Sequence, residues 1–383
     1  MLTEYVLQVP RTVYSGEHAL ERISEILKGV KKAAVFADRG ITRAGLLEYP
    51  LSLIRKAGVD VVIFQDLSPE PTCEQAQAAV EEFENSGADF IVAIGGGSVM
   101  DAAKLASVAA GVCTVRELLD KPEKGRKRVK TLMIPTTAGT GAEATPNSIV
   151  AVPERELKVG IVNSQMIADY VILDGRMIRS LPRKIAASTG VDALCHAVEC
   201  YTSKKANPFS DIFALEALDL IINHIEQACD NPEAIEDKNA MLMAAFYAGI
   251  AITASGTTAV HALSYPLGGK YHIPHGVSNA ILLIPVMRFN EPFCQERLAS
   301  AYDRVARKYG EIKTTREKSE WMISRMEEIV RHLEIPTSLK MYGIDRQDLN
   351  DLVAAGMDVQ RLLINNVREV TPEDAKNIYL SIM

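Results

Sequence analysis

Short β-branched and apolar runs alternate with helical periodicity through the first half of the chain. Ala33–Asp38, Val59–Gln65, Asp89–Ile94 and Thr131–Pro135 read as strands, and Leu46–Ala57, Cys73–Ser86 and Val99–Ala110 between them read as helices. Strands that alternate with helices predict a parallel sheet covered on both faces. Leu2–Ser15 reads as an extended opening strand or hairpin. Beyond Ile172–Asp174 the period-two signal fades. Leu181-Pro182 marks a hinge, after which Asn207–Gln227, Asn239–Ala254, Cys294–Tyr309, Lys318–His332 and Thr371–Ser381 follow helical spacing. The segments 185–200, 240–265 and 277–288 are apolar enough to be buried helices. The expected architecture is an α/β N-terminal domain with a parallel sheet, residues 1–181, followed by an all-helical C-terminal domain, residues 182–383, with a cleft between them.

Polar residues that interrupt the apolar helices suggest chemistry. In GVDALCH, Asp192 and His196 stand four residues apart, so they share one helix face. In VHALSYPLGGKYHIPH, His261 and His275 bracket a Gly-Gly break. One carboxylate with three imidazoles is a donor set for a divalent iron or zinc. Singly, each residue is as readily a cap or a hydrogen-bonded core group; jointly they predict a metal site.

A second feature is DFIVAIGGGSVMDAAK, a strand, a turn at Gly95, Gly96, Gly97 and Ser98, then a helix. Such a turn brings backbone amides and a helix N-terminus to a pyrophosphate. It departs from GxGxxG, because Met100 stands where the third glycine belongs. The next strand ends in PTTAGTGAEAT, whose Thr136, Thr137, Thr140 and Thr145 offer hydroxyls while Gly139 and Gly141 give backbone access. Two such loops on neighbouring parallel strands predict a nucleotide. Asp38 is placed either to accept a ribose diol or to turn the chain before Gly40.

Composition narrows the partners. A formal net charge of −7 leaves Lys121–Lys130 as the one basic run, a solvated loop rather than a nucleic-acid surface. The six cysteines show no CxxC pair or framework spacing, which fits reduced thiols and a cytoplasmic protein. The chain opens on no signal sequence, and no apolar stretch is long enough to span a bilayer, so no membrane partner is expected.

GGGSVMDAAK, IPTTAGTGAEAT, GVDALCHAVECYTS and HALSYPLGGKYHIPHGVSNAILLIPVMRFN together resemble the iron-containing (group III) alcohol dehydrogenase family, of the dehydroquinate synthase-like fold. The resemblance implies that Asp192, His196, His261 and His275 bind a divalent metal, Fe²⁺ ahead of Zn²⁺. It implies that Gly95–Ser98 and the four threonines hold a nicotinamide dinucleotide, with Asp38 near the adenosine ribose and Lys158 near the nicotinamide. Asn147 and Ile252 fall at substrate-lining positions. The implied reaction moves a hydride between NAD(H) and an alcohol–aldehyde or alcohol–ketone pair, and family habit with apolar surface suggests a homo-oligomer.

Three positions depart from the family. Tyr265 replaces a histidine often given a proton-relay role, and a phenol near pKa ~10 is a poor relay at neutral pH. His272, or a solvent chain, is then expected to take over. Glu70 replaces an asparagine and, with Asp38, adds negative charge that favours NAD over NADP. Ile252 replaces an aromatic ring and leaves room for a bulkier substrate. A lyase of the dehydroquinate synthase type would need a basic phosphate pocket, which the helical half lacks in sequence; a non-catalytic nucleotide- or metal-binding protein is the alternative from another class.

Overall fold

The computed structural model describes residues 4–68, 71–152, 157–307, 310 and 312–383, the side chains at 157 and 158 excepted. It divides into two compact units, the first spanning Gln8–Leu181 and the second containing Pro182–Met383. In the first unit the strands are β1 (Thr12–Ser15), β2 (Lys32–Phe36), β3 (Asp60–Phe64), β4 (Phe90–Gly95), β5 (Lys130–Pro135), β6 (Asn147–Val152), β7 (Leu157–Val162) and β8 (Tyr170–Leu173). Its helices are α1 (Ile23–Ile26), α2 (Arg39–Arg43), α3 (Glu48–Lys56), α4 (Cys73–Ser86), α5 (Gly97–Ala109) and α6 (Val115–Asp120).

Six strands form one sheet in the order β1-β8-β5-β4-β2-β3, and every pairing is parallel. The centre of the sheet is covered on both faces, so β4 is buried at all six positions and its sequence FIVAIG carries no alternation. The edge strand β3 is half exposed. The parallel α/β fold expected from the sequence is thus the fold observed. Two elements were not foreseen. β8 lies between β1 and β5, and β6 with β7 makes a separate antiparallel hairpin. Of the expected opening strand, Thr12–Ser15 is β1 and residues 4–10 carry no regular structure.

The second unit is helical: α7 (Arg183–Thr202), α8 (Pro208–Asp230), α9 (Ile235–Ser255), α10 (Ala259–Tyr271), α11 (His275–Val305), α12 (Thr315–His332), α13 (Leu349–Met357), α14 (Gln360–Leu363) and α15 (Pro372–Leu380). The helix expected to begin at Cys294 is the second part of α11. That residue has non-helical backbone angles two positions after Pro292, so a kink stands where a start was expected. Helix α7 is buried from Gly190 onward, and a side chain at Gly190 would strike Ile225 at 2.9 Å. The small residue lets α8 pack directly against the segment that carries Asp192 and His196. No single described helix is long and apolar enough to cross a membrane.

Candidate metal and cofactor sites

In the helical unit, α7, α10 and the first residue of α11 converge. Oδ1 of Asp192 lies 3.6 Å from Nε2 of His275, 3.7 Å from Nε2 of His261 and 3.9 Å from Nε2 of His196. Donors bound at about 2.1 Å around a tetrahedral centre stand roughly 3.4 Å apart, so these separations fit a shared cation. The tightest group is Asp192, His261 and His275, whose donor atoms all lie within 4.8 Å of one another. His196 sits at the margin of this group, its ring stacked on that of His261 with centroids 4.6 Å apart. Asp192, His196 and His261 are buried, while the His275 side chain is 37% exposed, which leaves one open side.

Charge reinforces the geometry. Burial would raise the Asp192 carboxyl, but the imidazoles of His196, His275 and His261 reverse this and hold it well below the usual carboxylate range. Burial lowers His196 to about 4, against the pull of Asp192. Burial would lower His261 as well, but Glu199 and Asp192 outweigh it and raise this imidazole to about 10.

Two functional side chains escaped the sequence reading. Glu199 accepts hydrogen bonds from Thr258 N (3.0 Å), Thr258 Oγ1 (2.7 Å) and Val260 N (2.8 Å), and its other oxygen meets Nδ1 of His261. It lies three residues after His196, so an acid on the same helix face was the available signal. Asn279, one turn into α11, points its Nδ2 at Asp192 Oδ1 (2.7 Å), His261 Nε2 (3.1 Å) and His275 Nε2 (3.3 Å). Its i+4 spacing from His275 was likewise visible.

The relay candidates lie apart from this cluster. His272 closes α10 in a left-handed conformation (φ 54°) with an exposed side chain, and no hydrogen bond ties it to the cluster among the described residues. Tyr265 is closer, its ring 6.2 Å from that of His275, and its hydroxyl accepts a hydrogen bond from Arg361. Ile252 is half-buried near the end of α9.

In the α/β unit the glycine turn and the threonine loop meet. β4 and β5 pair so that Gly95 is opposite Pro135, and Thr136 N donates to Gly95 O at 3.0 Å. Gly96 and Gly97 face Thr137 and Thr140, and a Cβ at Gly97 would lie 3.1 Å from Thr140. A Cβ at Gly95 would enter Val99 at 2.6 Å, so the first turn of α5 demands glycine there. Oγ1 of Thr136 is buried with no hydrogen-bond partner among the described residues, an orphan that a bound polar group would satisfy. This open cradle, with Ser98 in the first turn of α5, fits a dinucleotide phosphate.

Thr145 has a different local role. Its hydroxyl accepts from the buried Lys104 (3.2 Å), which also donates to the carbonyl of Asn147 at 2.6 Å. Asp38 caps α2, its Oδ1 accepting from Ile41 N at 2.9 Å, and pairs backbone-to-backbone with Asp66. The local turn is therefore present whatever else that carboxylate does. Met100, in the place of the third glycine, is buried. The Lys158 side chain and Glu70 lie outside the described residues.

A parallel sheet with a phosphate cradle at its strand ends, in one chain with a carboxylate–imidazole cluster, defines a dinucleotide-linked, metal-dependent dehydrogenase. The iron-containing alcohol dehydrogenase profile matches residues 10–175, and that of the Fe-containing alcohol dehydrogenase family, C-terminal, matches residues 186–383. Long-chain-alcohol dehydrogenase 1 of Geobacillus thermodenitrificans is 32% identical over 376 residues, covering 97% of this chain and 94% of the relative. A solved 1,3-propanediol oxidoreductase superposes with a TM-score of 0.92 at 28% identity over the whole of both chains. Sulfoacetaldehyde reductase from Bifidobacterium kashiwanohense, solved in complex with NAD⁺, gives 0.89 at 26% identity, covering 100% of this chain and 99% of its own. The chain belongs to the iron-containing alcohol dehydrogenase family. It is an enzyme of alcohol–aldehyde oxidoreduction that works with a divalent metal and a nicotinamide dinucleotide.

Proposed function

We propose that Asp192, His196, His261 and His275 hold Fe²⁺, with Zn²⁺ as the competing occupant, and that NAD(H) rather than NADP(H) is the hydride carrier. When bound, the metal supplies Lewis acidity toward the alcohol or carbonyl oxygen and the dinucleotide supplies or accepts the hydride. The observation that carries this reading is the approach of three imidazole Nε2 atoms to one oxygen of Asp192. A mixed set of one oxygen and three nitrogens suits both metals, and family membership favours iron.

The chain's own residues do the positioning. Glu199 takes the Nδ1 side of His261 and leaves Nε2 directed at the cluster. Gly95–Ser98, Thr136, Thr137 and Thr140 fix the phosphates, and Thr145 with Lys104 braces the loop from beneath. Lys158 is assigned to the nicotinamide side, and Asn147 and Ile252 to the substrate pocket, by family correspondence alone. For the adenosine end, a cleft lined by Phe64, Asp66, Leu67 and Pro71 lies beside Asp38. Arg39, the cation next to Asp38, is paired with Asp66 at 2.6 Å, so this arginine is engaged by a carboxylate rather than left for a 2′-phosphate. Of the relay candidates, Tyr265 has the better claim, because it borders His275.

Purified enzyme should carry iron or zinc near one equivalent per chain by elemental analysis. It should oxidise NADH faster than NADPH with a graded series of aldehydes. Full turnover after exhaustive chelation would end this assignment. We further propose a homo-oligomer in the cytoplasm, to be checked by sedimentation and fractionation.

A further inference from the structure

The cluster has one open side, at His275, and a cation lies one residue beyond it, across Tyr265. Asp192, His196 and His261 are closed off by burial, whereas His275 is partly exposed. Beside His275 stands Tyr265, with ring centroids 6.2 Å apart. Over Tyr265 lies the guanidinium of Arg361, 5.8 Å from the ring centre, its Nη2 donating to the tyrosine hydroxyl at 3.2 Å. Arg361 projects from the short helix α14, whose Leu362 and Leu363 are buried. Those two leucines fix the helix and turn Arg361 outward.

No carboxylate lies within 4 Å of this guanidinium among the described residues, unlike Arg297 on Asp211 or Arg325 on Glu226. Arg361 itself is exposed, and an exposed guanidinium stacked on the half-buried Tyr265 gains only about 0.5–1 kcal/mol, so packing gives a weak reason for arginine here. Most of its fork of donors remains available, and that fork matches an oxyanion in two-pronged fashion.

We infer that Arg361 is a specificity-determining residue: it receives the anionic end of a short substrate whose carbonyl or hydroxyl carbon lies at the His275 side of the cluster. The preferred pair is then a short aldehyde bearing a carboxylate or sulfonate and the matching hydroxy acid, rather than a neutral alcohol. This rests on the proposed metal site at Asp192, His261 and His275. The chemistry that Arg361 recognises is an oxyanion, and the other source of one is the phosphates of the dinucleotide.

The test compares 4-oxobutanoate with butanal, equal in carbon count, on metal-reconstituted enzyme with NADH. Wild type should favour the anionic aldehyde in kcat/KM. Arg361→Gln should lower that value by about 10- to 100-fold, mainly through KM, whereas the loss on butanal, from the lost bond to the Tyr265 hydroxyl, should be smaller and fall in kcat. Arg361→Lys should recover part of the loss, since it keeps the charge without the fork. Succinate, which cannot react, should raise the melting temperature of wild type and not of Arg361→Gln. Equal losses for both aldehydes would reduce Arg361 to a packing role, and a rise confined to the KM for NADH would assign it to the cofactor. Either result overturns the inference, as would a wild-type preference for butanal. If neither aldehyde turns over, the oxidoreductase assignment fails instead, and the succinate titration alone decides whether the anion site exists.

Discussion

Glu199 closes two gaps at once: one carboxylate oxygen caps the start of α10 at Thr258 and Val260, and the other holds Nδ1 of His261. The cap residue Thr258 makes no side-chain cap of its own, so the acid from α7 does that work. In this way the helix that carries Asp192 and His196 fixes both the position and the tautomer of His261. Replacing Glu199 with Gln separates these roles. If the amide oxygen stays on the backbone donors, its NH₂ faces Nδ1 and drives the proton to Nε2, the atom needed by the metal. Metal affinity, measured by competition with a chelator, should fall by about 10- to 100-fold, while the apo protein melts close to wild type. Glu199→Ala should lower both, because the α10 donors lose their partner. A Gln variant with unchanged metal affinity would leave Glu199 only its capping role.

Gly276 governs how closely α11 approaches α7. A Cβ built there would stand 2.1 Å from the backbone oxygen of Ser188, a clash that no side-chain rotation relieves. Gly276→Ala must therefore push the start of α11 outward, carrying His275 with it. We expect bound metal to drop to a small fraction of one equivalent and the unfolding free energy to fall by an amount typical of core overpacking, about 1–3 kcal/mol. Gly97→Ala makes the contrast: its Cβ would meet only the Thr140 side chain at 3.1 Å, so metal content should stay and KM for NADH should rise.

What was legible beforehand followed from local pattern. Asp192 and His196 share a helix face by spacing alone, and the glycine turn is bounded by an unmistakable strand and helix. β8 was overlooked because its four residues, YVIL, are too few for a period to register, and its place between β1 and β5 is a long-range fact. The hairpin β6–β7 was missed for a related reason: β6 alternates half-buried and buried residues in NSIVAV, which reads weakly beside the continuous runs of the central sheet. Glu199 and Asn279 were in view as letters but not as partners. Their significance comes from α10 and α11 folding back onto α7, and neither the fold-back nor the 2.7 Å approach of Asn279 to Asp192 is written in spacing.

Coenzyme choice gives a third prediction. Asp38 caps α2 through Oδ1, so removing it costs helix stability as well as any contact with the ribose. Asp38→Asn keeps a capping oxygen and removes the charge; the substitution should be close to neutral in stability. If the charge is what repels a 2′-phosphate, the ratio of kcat/KM for NADPH over NADH should rise by at least tenfold in Asp38→Asn. An unchanged ratio in a normally folded variant would move coenzyme selection elsewhere in the cleft beside Asp66.

The threonine loop carries a pH-dependent cost of its own. Glu143 is 2% exposed, and burial raises its carboxyl from 4.5 to about 7, with its own backbone amide and Lys104 offsetting only part of the shift. A carboxyl whose pKa is higher in the fold than in the open chain binds its proton more tightly when folded. Stability is therefore undiminished below about pH 4.5, declines as pH rises through the interval up to 7, and stays reduced above it. Over that span the linkage amounts to roughly 3 kcal/mol. Glu143→Gln mimics the neutral acid and carries no proton to lose. Relative to wild type it should match at pH 4 and be more stable at pH 8 by up to that amount, measured by denaturant unfolding of both proteins in the metal-free form. A variant less stable than wild type at pH 8 would mean that the ionised carboxylate is held by Lys104 more strongly than burial opposes it.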